Sequence, residues 1–248
     1  IFFSTLDKIR DGLIIQVFET TDRIQHMFWR YLPDSGSSAP RPSQKEIVRN
    51  AILESYRAMD DLMARLFKKM GPDDLLMVVS DHGFNAFNRG FNLNTWLHQE
   101  GYLVLRDGKK TSGKWYADVD WSRSRAFGQG LNGIFLNLRG REKSGIVNPG
   151  AEAEALKREV VGYAIGYRVS WESAVNYVGE DLFSDNTRMW SGDHAFTRDQ
   201  IPGVFFCNRR IAEKDPGLID ISPTVLAAFG IAKPAFIEGR DLKIGEKS

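Results

Sequence analysis

Three short segments of the chain carry carboxylate and imidazole side chains at spacings that suit metal binding. Asp22 and His26 in TTDRIQH stand four residues apart, so on a helix both side chains lie on one face. Asp81 and His82 in SDHGF follow the apolar run LLMVV and precede a glycine that allows the backbone to turn. His194 stands in GDHAF. These residue types supply the nitrogen and oxygen ligands that zinc or manganese binds.

Each segment also has a purely structural interpretation. A pair such as Asp22 and His26 is common on solvated helix faces, and Asp-His-Gly after a strand can be a structural turn. His194 alone could be a hydrogen-bonded core histidine. The metal interpretation is favoured because three of the four histidines fall in these segments, whereas His98 in NTWLHQEGY is expected to be an exposed helix residue. In this order, the segments indicate a two-metal phosphate-ester hydrolase.

Length, charge and cysteine content narrow the class of protein only broadly. At 248 residues the chain can bury a substantial core, and its net charge of +1 indicates neither nucleic acid nor an anionic membrane as a partner. A single cysteine, Cys207, excludes an internal disulfide framework. No run is long enough to span a membrane and no signal peptide is visible, which leaves localisation open and favours the cytoplasm.

Strand-like and helix-like patterns alternate along the chain and would position these residues. Residues 13–19 (LIIQVFE) and 75–80 (LLMVVS) are predicted as strands, and residues 44–70 and 218–231 as helices. This rhythm predicts an α/β fold with a mostly parallel central sheet flanked by helices, whose functional residues gather at the carboxyl ends of strands. The more irregular stretch of residues 91–190 is predicted to be a cap or insertion.

The order of the motifs resembles that of the alkaline phosphatase superfamily. Asp-x3-His, Ser-Asp-His-Gly and Gly-Asp-His are followed by Asp-Ile-Ser-Pro-Thr-Val-Leu and Gly-Arg-Asp-Leu, so the resemblance spans nearly the whole chain. Within the superfamily, the chain is most similar to the type I phosphodiesterase/nucleotide pyrophosphatase family. The resemblance implies an alkaline phosphatase-like catalytic domain over residues 1–248.

The same resemblance implies two divalent metal ions and assigns ligands to them. Asp22, His26 and His194 match the ligands of one ion, and Asp81 with His82 matches part of the ligand set of the other. The mixed Asp/His set favours zinc, with manganese as the alternative. Asp193, beside His194, is a candidate acceptor for a histidine N–H group.

Two elements of the family pattern have no counterpart in the chain. These are an N-terminal Asp ligand and the nucleophilic Ser or Thr, and neither Ser4 nor Thr5 stands in the expected strand-loop context. We therefore expect the catalytic nucleophile to belong to an N-terminal part that the chain lacks. A second group of residues is expected to be missing near Val160–Gly162, where a helix pattern continues without a turn residue.

The implied reaction is hydrolysis of a small-molecule phosphate ester, a phosphodiester or a nucleotide pyrophosphate. A phosphomonoesterase, a phosphotransferase of the phosphoglycerate mutase kind and a non-catalytic metal-binding module remain alternatives. A monoester dianion usually requires an additional cation or an arginine clamp, for which Arg89, Arg125, Arg168 and Arg198 are candidates. The oligomeric state stays open.

Overall fold

The computed structural model describes residues 2–9, 11–38, 41, 45–131, 133–158 and 166–245. It is a mixed α/β structure that divides into two compact units. Unit 1 comprises Ile1–Phe18, Tyr56–Gly83 and Ile201–Ser248, and unit 2 comprises Glu19–Ser55 and Phe84–Gln200. In the part of the chain that the structure describes, no helix is both long enough and apolar enough to cross a membrane.

Eight helices and nine short strands are formed by the described residues. The helices are α1 Phe2–Leu6, α2 Thr20–Phe28, α3 Glu46–Arg49, α4 Ala51–Phe67, α5 Leu93–Gln99, α6 Ala151–Arg158, α7 Trp171–Ala174 and α8 Ile221–Ala228. The strands are β1 Met77–Val79, β2 Asn85–Ala86, β3 Arg89–Phe91, β4 Ala126–Gln129, β5 Gly133–Leu136, β6 Tyr167–Val169, β7 Phe183–Asp185, β8 Gly192–Asp193 and β9 Phe205–Cys207.

Unit 2 is built around an apolar cluster that includes the inner face of α5. Leu97 of α5 is fully buried there together with Leu103, Val147 and Val178. Unit 2 also contains the antiparallel pair β4–β5 and a three-stranded sheet in the order β6-β3-β7, in which β3–β6 is parallel and β3–β7 antiparallel. At Gly90 of β3 a Cβ atom would stand 2.8 Å from the Ser170 Cβ, so a side chain cannot be accommodated.

Unit 1 contains the antiparallel pair β1–β9, with Met77 opposite Cys207. The C-terminal GRDL segment docks beside α8 through hydrogen bonds to its first turn. The backbone N–H of Arg240 donates to the Asp220 carboxylate at 2.9 Å, and that of Leu242 donates to the Thr224 hydroxyl at 2.9 Å. These hydrogen bonds join the DISPTVL and GRDL motifs to each other. Leu242, at the end of the second motif, is fully buried.

Of two sequence predictions about the sheets, one is wrong and the other is unconfirmed. Residues 13–19 form no strand, because they have no ladder partner among the described residues. Most of them are exposed. An apolar run shows strand propensity but does not supply the neighbouring strand that a ladder requires. The mostly parallel central sheet is not confirmed either, because the described sheets are small and contain one parallel pair.

The helix predictions fared better because helical hydrogen bonds are local. The helix expected over residues 44–70 is present as α3 and α4, and that over residues 218–231 as α8. His98 does lie on a helix, but it is half-buried, with Nδ1 2.9 Å from the Leu103 carbonyl oxygen. The gap expected near Val160–Gly162 lies outside the described residues, and the cap assigned to residues 91–190 stays a prediction.

The buried position of Leu97 makes a direct test of this core. Replacing Leu97 with Ala leaves a cavity in the cluster, and we expect the free energy of unfolding to fall by about 2–5 kcal/mol. Leu53→Ala is the matched control, since Leu53 is about half-exposed in α4 and should change stability by about 0.5 kcal/mol or less. Denaturant unfolding measures both, and equal losses would contradict the assigned core.

Candidate metal centre

Helix α2 places Asp22 and His26 on one face, one turn apart. The Asp22 Oδ1 atom lies 3.6 Å from the His26 Nε2 atom. The two side chains differ in solvent exposure: that of His26 is 4% exposed and that of Asp22 is 38% exposed. The i, i+4 spacing thus brings the Asp22 carboxylate close to the His26 imidazole. The imidazole is buried, whereas the Asp22 side chain is partly exposed to solvent.

His194 completes the group from a distant part of the sequence. It directly follows β8, and its Nε2 atom lies 3.5 Å from the same Asp22 Oδ1 atom. One potential ligand atom from each of Asp22, His26 and His194 lies within 4.8 Å of the other two. The three side chains therefore converge on one point in unit 2.

The convergence depends on close docking of β8 against α2. The His26 Nδ1–H donates to the Gly192 carbonyl oxygen at 2.9 Å, and the Ser191 N–H donates to the His26 carbonyl oxygen at 2.7 Å. A Cβ atom at position 192 would stand 2.7 Å from the Trp29 Cβ and 2.8 Å from the Gln25 carbonyl oxygen. Only glycine permits this approach. Because His26 donates from Nδ1, its Nε2 lone pair is left for a cation.

The surroundings favour the neutral form of His26. Burial lowers its pKa below the ordinary value, and this outweighs the opposing effects of the Gly192 hydrogen bond and the nearby carboxylates of Asp193 and Asp22. The Trp190 ring stacks on the imidazole with a centroid distance of 3.7 Å, and Phe84 packs edge-on at 4.7 Å. A neutral imidazole held in an aromatic pocket is the form that binds a metal ion.

The donor set passes a chemical test for a divalent cation. Asp22 Oδ1 is buried and accepts no hydrogen bond from the residues that the structure describes. A buried carboxylate oxygen requires a donor or a cation, and both histidine Nε2 atoms lie close to it. Zn²⁺ with ligand bonds of about 2.0–2.1 Å separates tetrahedral ligands by about 3.3–3.5 Å. The spacings of 3.5 and 3.6 Å match that geometry within the usual tolerance.

Asp81 and His82 lie in unit 1, where Ser80 separates them from the end of β1. The Asp81 Oδ2 atom is 3.5 Å from the His82 Nε2 atom, and the His82 Nδ1 atom is 3.0 Å from the Gly83 carbonyl oxygen. Gly83 donates its N–H to the Ile201 carbonyl at 2.8 Å, which fixes the turn after the strand. The strand-end position predicted from LLMVVS is present, while the role of this pair as ligands of a second ion stays a prediction.

Asp193 has a larger structural role than the sequence indicated. Its Oδ1 accepts the backbone N–H groups of His194 and Ala195 at 2.8 and 2.9 Å, and its Oδ2 accepts the Trp190 indole N–H at 2.8 Å. The acceptor for the His26 ring is instead the Gly192 carbonyl. Asp193 thus holds the backbone of one histidine and the ring that covers the other.

Arg168, one of the four arginines considered as a phosphate clamp, is enclosed in unit 2. Its Nε atom lies 2.9 Å from the Asp193 Oδ2 atom, and its side chain is 0% exposed. Arg89 is partly exposed and pairs with Asp185. Only the burial of Arg168, not its partner, has a signal in the sequence, because a single arginine stands inside the strand segment YRV.

Comparison with known protein families identifies one match. A sequence model of the family described as type I phosphodiesterase / nucleotide pyrophosphatase matches residues 2–210, which include all five predicted metal ligands. No curated protein and no solved structure matches the chain. The family suspected from the order of the motifs is therefore confirmed.

Gly192→Ala tests whether β8 must approach α2 this closely. The added methyl group meets the backbone of α2, so we expect a loss of about 1–3 kcal/mol in the free energy of unfolding. Gly113→Ala is the control, because its Cβ would meet only the Ala117 Cβ at 3.6 Å, an ordinary contact. Thermal or denaturant unfolding measures both, and a neutral Gly192→Ala would show that the docking is looser than described.

Proposed function

Since the chain belongs to the type I phosphodiesterase/nucleotide pyrophosphatase family, we propose that it hydrolyses phosphodiesters or nucleotide pyrophosphates with the help of bound divalent metal ions. The family supports phosphoric ester hydrolysis in general. The single observation that carries the metal dependence is the convergence of Asp22, His26 and His194 around a buried carboxylate oxygen that has no hydrogen-bond donor among the described residues.

Each of these side chains has a distinct task in the proposal. Asp22 provides the anionic oxygen, and His26 and His194 provide neutral nitrogen ligands for one ion. Asp81 and His82 contribute ligands to a second ion. Zinc is favoured over manganese because imidazole and carboxylate are combined. When bound, such ions polarise the phosphoryl oxygens and stabilise charge on the attacking and leaving oxygens of an in-line displacement.

The unequal exposure of the ligands supports a direction of substrate approach. His26 is sealed between Trp190, Phe84 and the β8 backbone, whereas the His194 and Asp22 side chains are 36% and 38% exposed. A phosphate ester would therefore reach the site from the side of His194 and Asp22. The aromatic rings keep water from the His26 side, which strengthens electrostatic interactions with a charged ligand.

Family membership also supports an alkaline phosphatase-like fold for the whole catalytic domain. We include in the proposal that the domain has a mostly parallel central sheet and that residues 91–190 form a cap over it. In such folds the loops near the carboxyl ends of strands determine which substrate is accepted. The cap would then govern substrate choice, and the Asp/His residues the reaction.

Metal analysis of single variants tests the ligand assignment. Asp22→Ala and His194→Ala should each lose about one equivalent of zinc or manganese, and Asp81→Ala should lose a second. His98→Ala is the matched control, because His98 contacts the Leu103 carbonyl and should keep the wild-type content. Bound metal should also fall under mild acid, since binding requires unprotonated imidazole and ionised carboxylate. Unchanged metal content in both Asp81→Ala and His194→Ala would refute the assignment.

A comparison of substrates tests the reaction class. We expect kcat/KM of the metal-loaded protein for bis-p-nitrophenyl phosphate and for the p-nitrophenyl ester of thymidine monophosphate to exceed that for p-nitrophenyl phosphate. A monoester dianion needs an additional cationic contact, and Arg168 is already buried against Asp193. A preference for the monoester of tenfold or more, about 1.4 kcal/mol in transition-state free energy, would assign a phosphomonoesterase instead.

A further inference from the structure

The Asp193 carboxylate connects both histidines of the candidate metal centre. Through Oδ1 it accepts the backbone N–H of His194, and through Oδ2 it accepts the indole N–H of Trp190. Trp190 in turn stacks on His26 with an interplanar angle of 27°. A rotation or displacement of this one carboxylate would therefore release the backbone of one histidine and the ring that packs on the other.

Arg168 contacts the same Asp193 oxygen, Oδ2, that accepts the Trp190 indole N–H. It lies in β6, which pairs with β3 in the three-stranded sheet of unit 2. Its guanidinium carbon stands 4.2 Å from the Phe87 ring centroid and 4.3 Å from that of Trp171. Packing between the two rings and the sheet restricts the motion of the guanidinium group. The Asp193 carboxylate is therefore paired with a cation whose position is well defined.

The contact between these two residues is an ion pair rather than a well-aligned hydrogen bond. Nε and Oδ2 are 2.9 Å apart, yet none of the three guanidinium nitrogens has an acceptor with hydrogen-bond geometry among the described residues. A buried ion pair of this kind is weak evidence for stability, because apolar residues of similar volume often stabilise a core as well. Its position beside the candidate metal ligands suits another role.

We propose that Arg168 and Asp193 are positioning residues that hold His194 and, through Trp190, His26 in the geometry required for metal binding. The proposal rests on the proposed function, because it assumes that Asp22, His26 and His194 bind a divalent cation. Neither residue contacts the cation or the substrate in this proposal. Arg168 fixes the carboxylate, and the carboxylate fixes the ligands.

Asp193→Asn is the most informative variant, because it keeps the shape of the side chain and removes its charge. In either orientation the amide NH2 group faces donors, namely the N–H groups of Arg168 and Trp190 or the backbone amides of His194 and Ala195. Arg168→Lys is the second variant, since it keeps the positive charge but loses the planar guanidinium between the rings. Asp185→Asn is the control, because Arg89 and Asp185 form an ion pair of the same 2.9 Å length on the surface.

The readouts are the affinity for Zn²⁺ and Co²⁺ by chelator competition, the visible absorption spectrum of bound Co²⁺, and circular dichroism of the metal-free proteins. We expect Asp193→Asn and Arg168→Lys to remain folded, to bind 10–100-fold more weakly and to show an altered Co²⁺ spectrum. Asp185→Asn should match the wild type in all three. The spectrum separates positioning from stability, since it reports the ligand geometry of the fraction that has bound the ion.

Three outcomes would overturn the positioning role. These are wild-type affinity and spectrum in both variants, an equal loss of affinity in Asp185→Asn, or loss of the fold in both variants, which would assign the pair to stability alone. Failure of the proposed function is recognised separately. In that case the wild type and Asp22→Ala would bind Zn²⁺ and Co²⁺ equally, whereas a failed positioning role leaves the wild type binding and Asp22→Ala deficient.

Discussion

The candidate metal centre depends on the docking of one short strand against one helix. Strand β8 contributes the Gly192 carbonyl, which orients the His26 ring, and leads directly into His194, while α2 contributes Asp22 and His26. The backbone hydrogen bond from Ser191 to His26 and the absence of a side chain at position 192 bring the two elements together. Without this contact, the helix would carry an Asp–His pair and the loop an isolated histidine, and no common point would exist for a cation.

The segment from Ser191 to His194 shows how much of a motif can serve purposes other than ligand binding. Ser191 accepts the backbone N–H of Arg30 at its hydroxyl and donates its own N–H to α2. Gly192 allows the approach, Asp193 distributes its two oxygens between backbone and indole donors, and His194 faces Asp22. These four consecutive residues therefore have four different roles. A search of the sequence for metal-ligand residue types identifies only the role of His194.

This division explains which parts of the structure could be predicted from the sequence. The i, i+4 spacing of Asp22 and His26, the periodicity behind α4 and the strand before Asp81 are local signals, and the corresponding elements are present. The strand expected over residues 13–19 was wrong because a strand is defined by its neighbour, which a linear pattern does not contain. The pairing of Arg168 with Asp193 could not be derived either, since it joins residues from different strands through burial that no local pattern encodes.

The separation of the candidate ligands along the chain has a consequence for folding. His26 and Gly192 are 166 positions apart, so their contact closes a very long loop. Closing a loop of that length costs roughly 4–5 kcal/mol of chain entropy by the logarithmic scaling of loop closure. A cation bound by Asp22, His26 and His194 would offset this cost by acting as a clip between the two ends. During synthesis, the N-terminal pair must wait until the segment around His194 has emerged from the ribosome, so metal loading would be a late step that reports completion of unit 2.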